Sequence, residues 1–211
     1  VGCDGDLSAA HVWLSAAADA HHPVAIYSGD VRKTQAIELY RVGEMLEKGD
    51  GVLPHPALAT RWYCEAAAGG SMQGRVALGR MLHAGIGCEQ DTAAGDALWA
   101  EAEASNDGDA LALLAETLYH SSRELQGEAR AAAEKRAYGA ALKAADVACA
   151  HGHYILATLR AKGCGCDKSL SSAYRYFAWA EIADDARASY EAGRLADHAP
   201  TKTIKGTSVS N

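Results

Sequence analysis

The residues best suited to chemistry are Cys149, His151, His153, Cys164 and Cys166, a group of thiols and imidazoles of the types that hold zinc. Their spacing argues against a single site. If one helix carries both ends, the eleven residues from His153 to Cys164 separate them by about 16 Å at 1.5 Å rise per residue, which no tetrahedral centre spans. Gly2-Cys3-Asp4-Gly5-Asp6 resembles the start of a calcium loop but has neither its length nor its distal glutamate. It reads better as a turn, and the His21-His22 pair as a solvated junction. No nucleophile motif, phosphate loop or paired carboxylates stand in a catalytic context, so no catalytic residue, metal or other cofactor is implied.

Composition says which elements must carry these residues. The 211 residues include 46 Ala, only 4 Pro and 14 aromatics, a balance that favours helices packed closely through small side chains. Formal charge is −7, which speaks against a nucleic-acid surface. No apolar run has the length of a membrane span.

Self-comparison gives a period of 36. Val42-Gly43-Glu44-Met45-Leu46-Glu47-Lys48-Gly49-Asp50-Gly51-Val52 matches Leu78-Gly79-Arg80-Met81-Leu82-His83-Ala84-Gly85-Ile86-Gly87-Cys88 position by position. The series continues at Leu114-Ala115, then, after a six-residue insertion, at Leu156-Ala157 with Gly163-Cys164-Gly165-Cys166, and last at Ala192-Gly193. About ten residues after each glycine pair comes a second segment: Trp62-Tyr63, Leu98-Trp99, Leu142-Lys143 and Ala173-Tyr174 lie in these. Apolar placement makes both segments helical, and Gly49, Gly85 and Gly163 are expected as left-handed helix ends. Gly43, Gly79 and Gly193 fall inside first helices, where glycine costs about 1 kcal/mol against Ala; close approach of the partner helix is the expected compensation.

These residues resemble the Sel-one-like repeat family, relatives of tetratricopeptide repeats. Gly43, Gly49, Gly51, Val52, Ala59, Trp62, Tyr63, Ala66, Ala67 and Gly70 carry the fullest match. A second unit keeps Gly79, Gly85, Gly87 and Asp91 with its tryptophan shifted to Trp99, and a fourth keeps Gly163 and Gly165. Unit three departs most, with Ser121-Ser122-Arg123-Glu124 in place of the glycine pair. The resemblance implies an all-α fold, an αα-hairpin superhelical solenoid of about four to five 36-residue repeats. Residues 1–198 are expected as one solenoid, with units near 1–21 (partial), 22–70, 71–107, 108–151, 152–184 and 185–198 (partial or cap). Residues 199–211 are expected to be a disordered tail, and the opening inside a repeat suggests a fragment of a longer array.

Trp13, Trp62, Trp99 and Trp179 then read as core rings of second helices, and Tyr40, Tyr154 and Tyr190 as packing residues sharing one register. Of the six cysteines, Cys3, Cys88 and Cys166 fall in turns and Cys64 and Cys149 on second helices; the family's cysteine-rich relatives pair two per unit, a rhythm missing here. Free thiols are expected, which fits a reducing intracellular compartment; nothing else bears on localisation. The resemblance implies a non-enzymatic interaction scaffold whose partners are other proteins or peptides, met on a concave surface lined by first helices. Arg41, Glu44, Lys48, Arg80, His83, Glu116, His120, Thr158, Lys162 and Arg194 are the expected contacts. Two alternatives stand beside it: a structural subunit of a large multiprotein assembly, and a β-lactam-binding or hydrolysing enzyme like some cysteine-rich relatives.

Overall fold

A computed structural model describes residues 29–182 and 186–196, which are helical with no strand among them. The readings made on residues 1–28 and 197–211, including Cys3, Trp13, the His21-His22 pair and the tail, lie outside the described residues. The chain divides into two compact units, Val1–Ser105 and Asn106–Asn211.

In the first unit α1 is Gly29–Lys48, α2 Pro56–Ala68, α3 Met72–Ala84 and α4 Thr92–Ala104. Helices α1 and α2 form one hairpin and α3 and α4 the next; α2 packs on α3, and α1 lies beside α3. Local sequence sets the boundaries. The side chains of His55, Ser71 and Asp91 accept hydrogen bonds from the amides of Leu58, Gly74 and Ala94, satisfying donors that a helix start leaves unpaired. Gly85 closes α3 in the left-handed region at φ 64°, as Gly163 closes α7 in the second unit at φ 75°. Residues Gly29 and Asp30, which look like breakers in the sequence, belong to α1.

In the second unit α5 is Gly108–Ser122, α6 Gly127–Asp146, α7 Ala150–Lys162, α8 Leu170–Ile182 and α9 Ala186–Ala196. Helices α5 with α6 and α7 with α8 form hairpins, α7 packs on both α6 and α5, and α9 packs on α8. Six inserted residues do not make a longer loop. They lengthen α6 to 20 residues where α2, α4 and α8 have 13. The glycine-free turn works differently: α5 runs on to Ser122, whose hydroxyl donates to the Tyr119 carbonyl at 2.7 Å, and the positive φ moves to Gly127.

Three of the four hairpins close on a small residue facing a large ring twenty positions later; in the α5–α6 hairpin the ring position is Ala141. A Cβ placed on Gly43 would lie 2.7 Å from the Tyr63 ring, and one on Gly79 2.6 Å from Trp99 Nε1 and 3.1 Å from the Gly95 carbonyl oxygen. In the last hairpin Ala157 and Phe177 take these roles in one buried cluster. Trp99 is therefore the counterpart of Tyr63 rather than a displaced Trp62. Its indole N–H donates to the Val76 carbonyl at 3.1 Å, which lets a polar ring edge be buried. Around each of these four positions stand wholly or almost wholly buried small residues, Ala59, Gly95, Ala137 and Ala173 in one column and Ala66, Ala102, Ala144 and Ala180 in another. Between hairpins, a Cβ on Gly87 would strike the Pro56 backbone and one on Gly165 the Glu134 backbone, the same relation 31 residues back in both units.

Two expectations fail here. Trp62 and Trp99 are 7 % and 3 % exposed, but Trp179 is 45 % exposed and is not a core ring. Its register in the other hairpins holds Glu65, Glu101 and Lys143, all on the surface. Gly193 also departs from Gly43 and Gly79: it is exposed with nothing within 4 Å of a Cβ, and Tyr190 is 70 % exposed. Tyr40 and Tyr154 have rings of the paired second helix, Tyr63 and Phe177, at 5.7 Å, whereas α9 packs mainly on α8 and meets α7 through Arg187, over the Tyr154 ring at 4.5 Å, and Ala188.

Gly79→Ala is expected to destabilise the protein by about 1–3 kcal/mol, because the overpacked methyl outweighs the gain in helix propensity. Gly193→Ala should instead stabilise α9 by up to about 1 kcal/mol. Urea denaturation followed by circular dichroism distinguishes them, and equal shifts would contradict the assignment of Gly79 to a packed ring seat.

Candidate functional site

The expected contact residues are built on the first helices α1, α3, α5, α7 and α9, as the repeat register requires. Arg41, Lys48, His120 and Arg194 are exposed and Glu44 is partly so. On α1, Arg41 pairs with Glu38 at 2.8 Å and Lys48 with Glu44 at 2.6 Å; these solvated pairs are worth little stability and leave the charges available. Arg194 makes a similar local pair with Glu191.

Arg80, His83, Glu116 and Thr158 are half-buried rather than exposed, because each is engaged within its own unit. Arg80 on α3 donates to Glu47 Oε2 of α1 at 2.5 Å, and Tyr63 of α2 donates its hydroxyl to the same oxygen at 2.7 Å. Burial alone would push the Glu47 carboxyl up, but the bonds from Arg80 and Tyr63 hold it below its ordinary value. Burial and the bond to Glu47 push the Tyr63 phenol far up, so it remains a donor. His83 lies flat on Trp99, ring centroids 4.3 Å apart, with Asp96 at 3.4 Å. Thr158 donates to the Tyr154 carbonyl of its own helix.

The second unit repeats the scheme with other chemistry. His151 of α7 stands 3.2 Å from Glu116 of α5, and its bond, outweighing burial, lowers the Glu116 pKa. Lys162 of α7 donates to the Tyr119 hydroxyl at 2.6 Å, its ammonium 4.8 Å from the ring centroid. Consecutive first helices within a unit are thus cross-linked by side chains, Glu47–Arg80 in one and Glu116–His151 and Tyr119–Lys162 in the other. Reading the sequence singled out Arg80, Glu116 and Lys162 as contacts but not Glu47 and Tyr119, and it singled out His151 only as a metal-ligand type, not as the partner of Glu116. The pairs join neighbouring repeats, so spacing within a single repeat does not reveal them.

Cys64, Cys88, Cys149, Cys164 and Cys166 are all free thiols. Cys149 is not on a second helix as expected: it is the N-cap residue of α7, while Cys164 and Cys166 follow the other end of that helix. Among the described residues no three or more His, Cys, Asp or Glu side chains converge as a metal site would require. Burial pushes the thiols of Cys88, Cys149, Cys164 and Cys166 up, with Cys149 reaching about 11. Among the described residues no helix is long and apolar enough to cross a membrane.

Hairpins of this form, with small-residue seats and rings, define a helical-repeat protein. The Sel1 repeat family model matches residues 1–22, 39–71 and 74–99. Two solved structures have the same fold. One is a protective antigen present in uropathogenic Escherichia coli strains and displaying an SLR fold, 24 % identical with TM-score 0.53 over 90 % of this chain and 37 % of that one. Another is a Sel1 repeat protein from Oxalobacter formigenes, 22 % identical with TM-score 0.54 over 89 % of this chain and 71 % of that one. The chain thus spans little more than a third of the antigen's length. No curated protein matches it. The matched segments thus carry Sel1 repeats, and the described αα-hairpins share the fold of these two solved structures.

Two measurements check the electrostatics. Because the folded Glu47 pKa is depressed, its stabilisation is present above the unfolded value near 4.5 and disappears as pH falls through the lower folded value. Glu47→Gln should therefore flatten the acid limb of a stability–pH profile below about pH 5; an unchanged limb would contradict the Arg80–Glu47–Tyr63 arrangement. Alkylation of Cys149 should rise roughly tenfold per pH unit between pH 8 and about 11, as its thiolate fraction grows. Peptide mass spectrometry after brief iodoacetamide treatment reads this, and a rate level across that range would contradict it.

Proposed function

We propose that this chain is a non-enzymatic interaction scaffold that binds another protein or peptide on the faces of its first helices. The observation that carries this reading is the cross-linking of neighbouring first helices by Glu47–Arg80 in one unit and by Glu116–His151 and Tyr119–Lys162 in the other. Such links hold side-by-side helices in fixed register, so a partner meets a surface already ordered and little entropy is lost on docking. Exposed Arg41 and Lys48 on α1 are then the first contacts of the first unit, and exposed His120 on α5 and Lys162 on α7 those of the second, while Arg80, His83, Glu116 and Thr158 hold each unit's surface in shape. The stacked-repeat fold supports the same reading, since binding is spread over repeats instead of being concentrated in a pocket.

The test is affinity capture with the wild-type chain and a variant carrying Arg41→Glu, Lys48→Glu and His120→Glu, both checked for native helicity and melting temperature. The variant should lose at least tenfold in recovery of proteins that the wild type retains reproducibly. An identical captured set from an equally folded variant would remove the first-helix face from consideration.

A further inference from the structure

The last complete hairpin reverses the pattern of the others. Its first helix carries Arg160 where the earlier repeats carry Leu46, Leu82 and Leu118, of which Leu46 and Leu118 are buried in the core. Its second helix carries Trp179 where they carry the surface charges Glu65, Glu101 and Lys143. A charge has replaced an apolar core residue, and a large ring has replaced a solvated charge.

The two substitutions meet in one cluster. The Arg160 guanidinium donates through Nη2 to the Tyr138 hydroxyl of α6 and lies between the Tyr138 and Tyr176 rings, 5.3 and 5.9 Å from their centroids. Its Nε is buried with no hydrogen-bond partner. Tyr176 in turn meets Trp179 edge-on at 5.4 Å, His153 lies 5.8 Å from the Trp179 ring, and Arg175 stands over that ring at 5.5 Å. His153 and Arg160 are seven residues apart on α7, so the cluster extends about 10 Å, the length of roughly three extended residues. Two arginines and a histidine interleaved with three rings, with no carboxylate among the described residues paired to either arginine, stand out on a chain of net charge −7.

Stability does not account for this arrangement. A buried guanidinium nitrogen without an acceptor carries an uncompensated desolvation penalty, and an exposed tryptophan gives up burial. The exposed Arg175 and Trp179, beside the partly buried Arg160, suit a ligand that brings carboxylates to the arginines and apolar surface to the rings. We propose that the α6–α7–α8 cluster of Tyr138, His153, Arg160, Arg175, Tyr176 and Trp179 is a recognition site for a short acidic segment of a partner protein. The site shares helix α7 with the first-helix surface but uses none of the residues assigned to that surface above. The acidic balance of the chain favours a peptide with a few carboxylates over a nucleic acid, whose dense phosphates it would repel as a whole.

The test uses the whole 211-residue chain and fluorescence anisotropy of three labelled probes: the peptide Glu-Glu-Tyr-Glu-Glu, its twin Gln-Gln-Tyr-Gln-Gln, and a ten-residue oligothymidylate. The acidic peptide should bind at least tenfold more tightly than the other two. Arg160→Leu restores the residue of the other repeats, so it should melt no lower than wild type yet lose at least tenfold in affinity. Trp179→Glu, which restores the other hairpins' surface charge, should do the same. Equal binding of both peptides, tighter binding of the oligonucleotide, no binding of the acidic peptide, or undiminished affinity in a folded Arg160→Leu variant would each overturn the proposal. The Arg41, Lys48 and His120 variant alters none of these six residues, so the two readings fail separately.

Discussion

The fold rests on steric fit between a residue with almost no side chain and a ring that needs its space. Gly43 under Tyr63, Gly79 under Trp99 and Ala157 with Phe177 bring two helices closer than larger residues would permit. Columns of buried alanine and glycine to either side extend this close contact along each hairpin. A core made this way is thin, since alanine buries little area. Buried aliphatic residues such as Met81, Leu111, Leu114, Leu156 and Leu159 add apolar surface to the rings, and in the α5–α6 hairpin, where Ala141 stands at the ring position, they take the ring's place. Because each hairpin buries its own small-residue seam, stability accumulates repeat by repeat instead of residing in a single centre.

Within each unit, polar side chains add to the close Gly87–Pro56 and Gly165–Glu134 contacts in fixing one hairpin against the next. The same structural task is done by a carboxylate held between a guanidinium and a phenol in the first unit, and by imidazole–carboxylate and ammonium–phenol contacts in the second. The backbone relation recurs with the repeat, but each pair needs only to reach across the same gap, and several chemistries can do so. Different side chains on a constant frame are what allow a repeat protein to offer different surfaces to different partners.

Much of the frame is visible in the sequence. Glycine pairs at 36-residue spacing mark the turns, and Gly85 and Gly163 do end their helices in the left-handed region, where a Cβ would be strained. Trp179 shows where the reading stops. A tryptophan on a helical repeat looks like a core ring, and only its register, shared with Glu65, Glu101 and Lys143, separates it from Trp62 and Trp99. Arg160 could have been found by the same comparison, since it breaks a column of leucines. Glu47 and His151 could not, because charged residues on a helix say nothing about which neighbour they meet.

The sequence by itself determined the helices, their ends and their period, because helix propensity, capping and glycine conformation act over a few residues and repeat with the chain. Tertiary structure decided the rest: which ring enters which seat, that six extra residues lengthen α6 instead of its loop, and that three of the ten expected contact residues, Arg80, Glu116 and Lys162, are tied into seams. Those outcomes depend on distances between residues roughly 20 to 43 apart in the chain, set only when helices pack, and a side chain's neighbours across such a gap are not encoded in its own type or spacing.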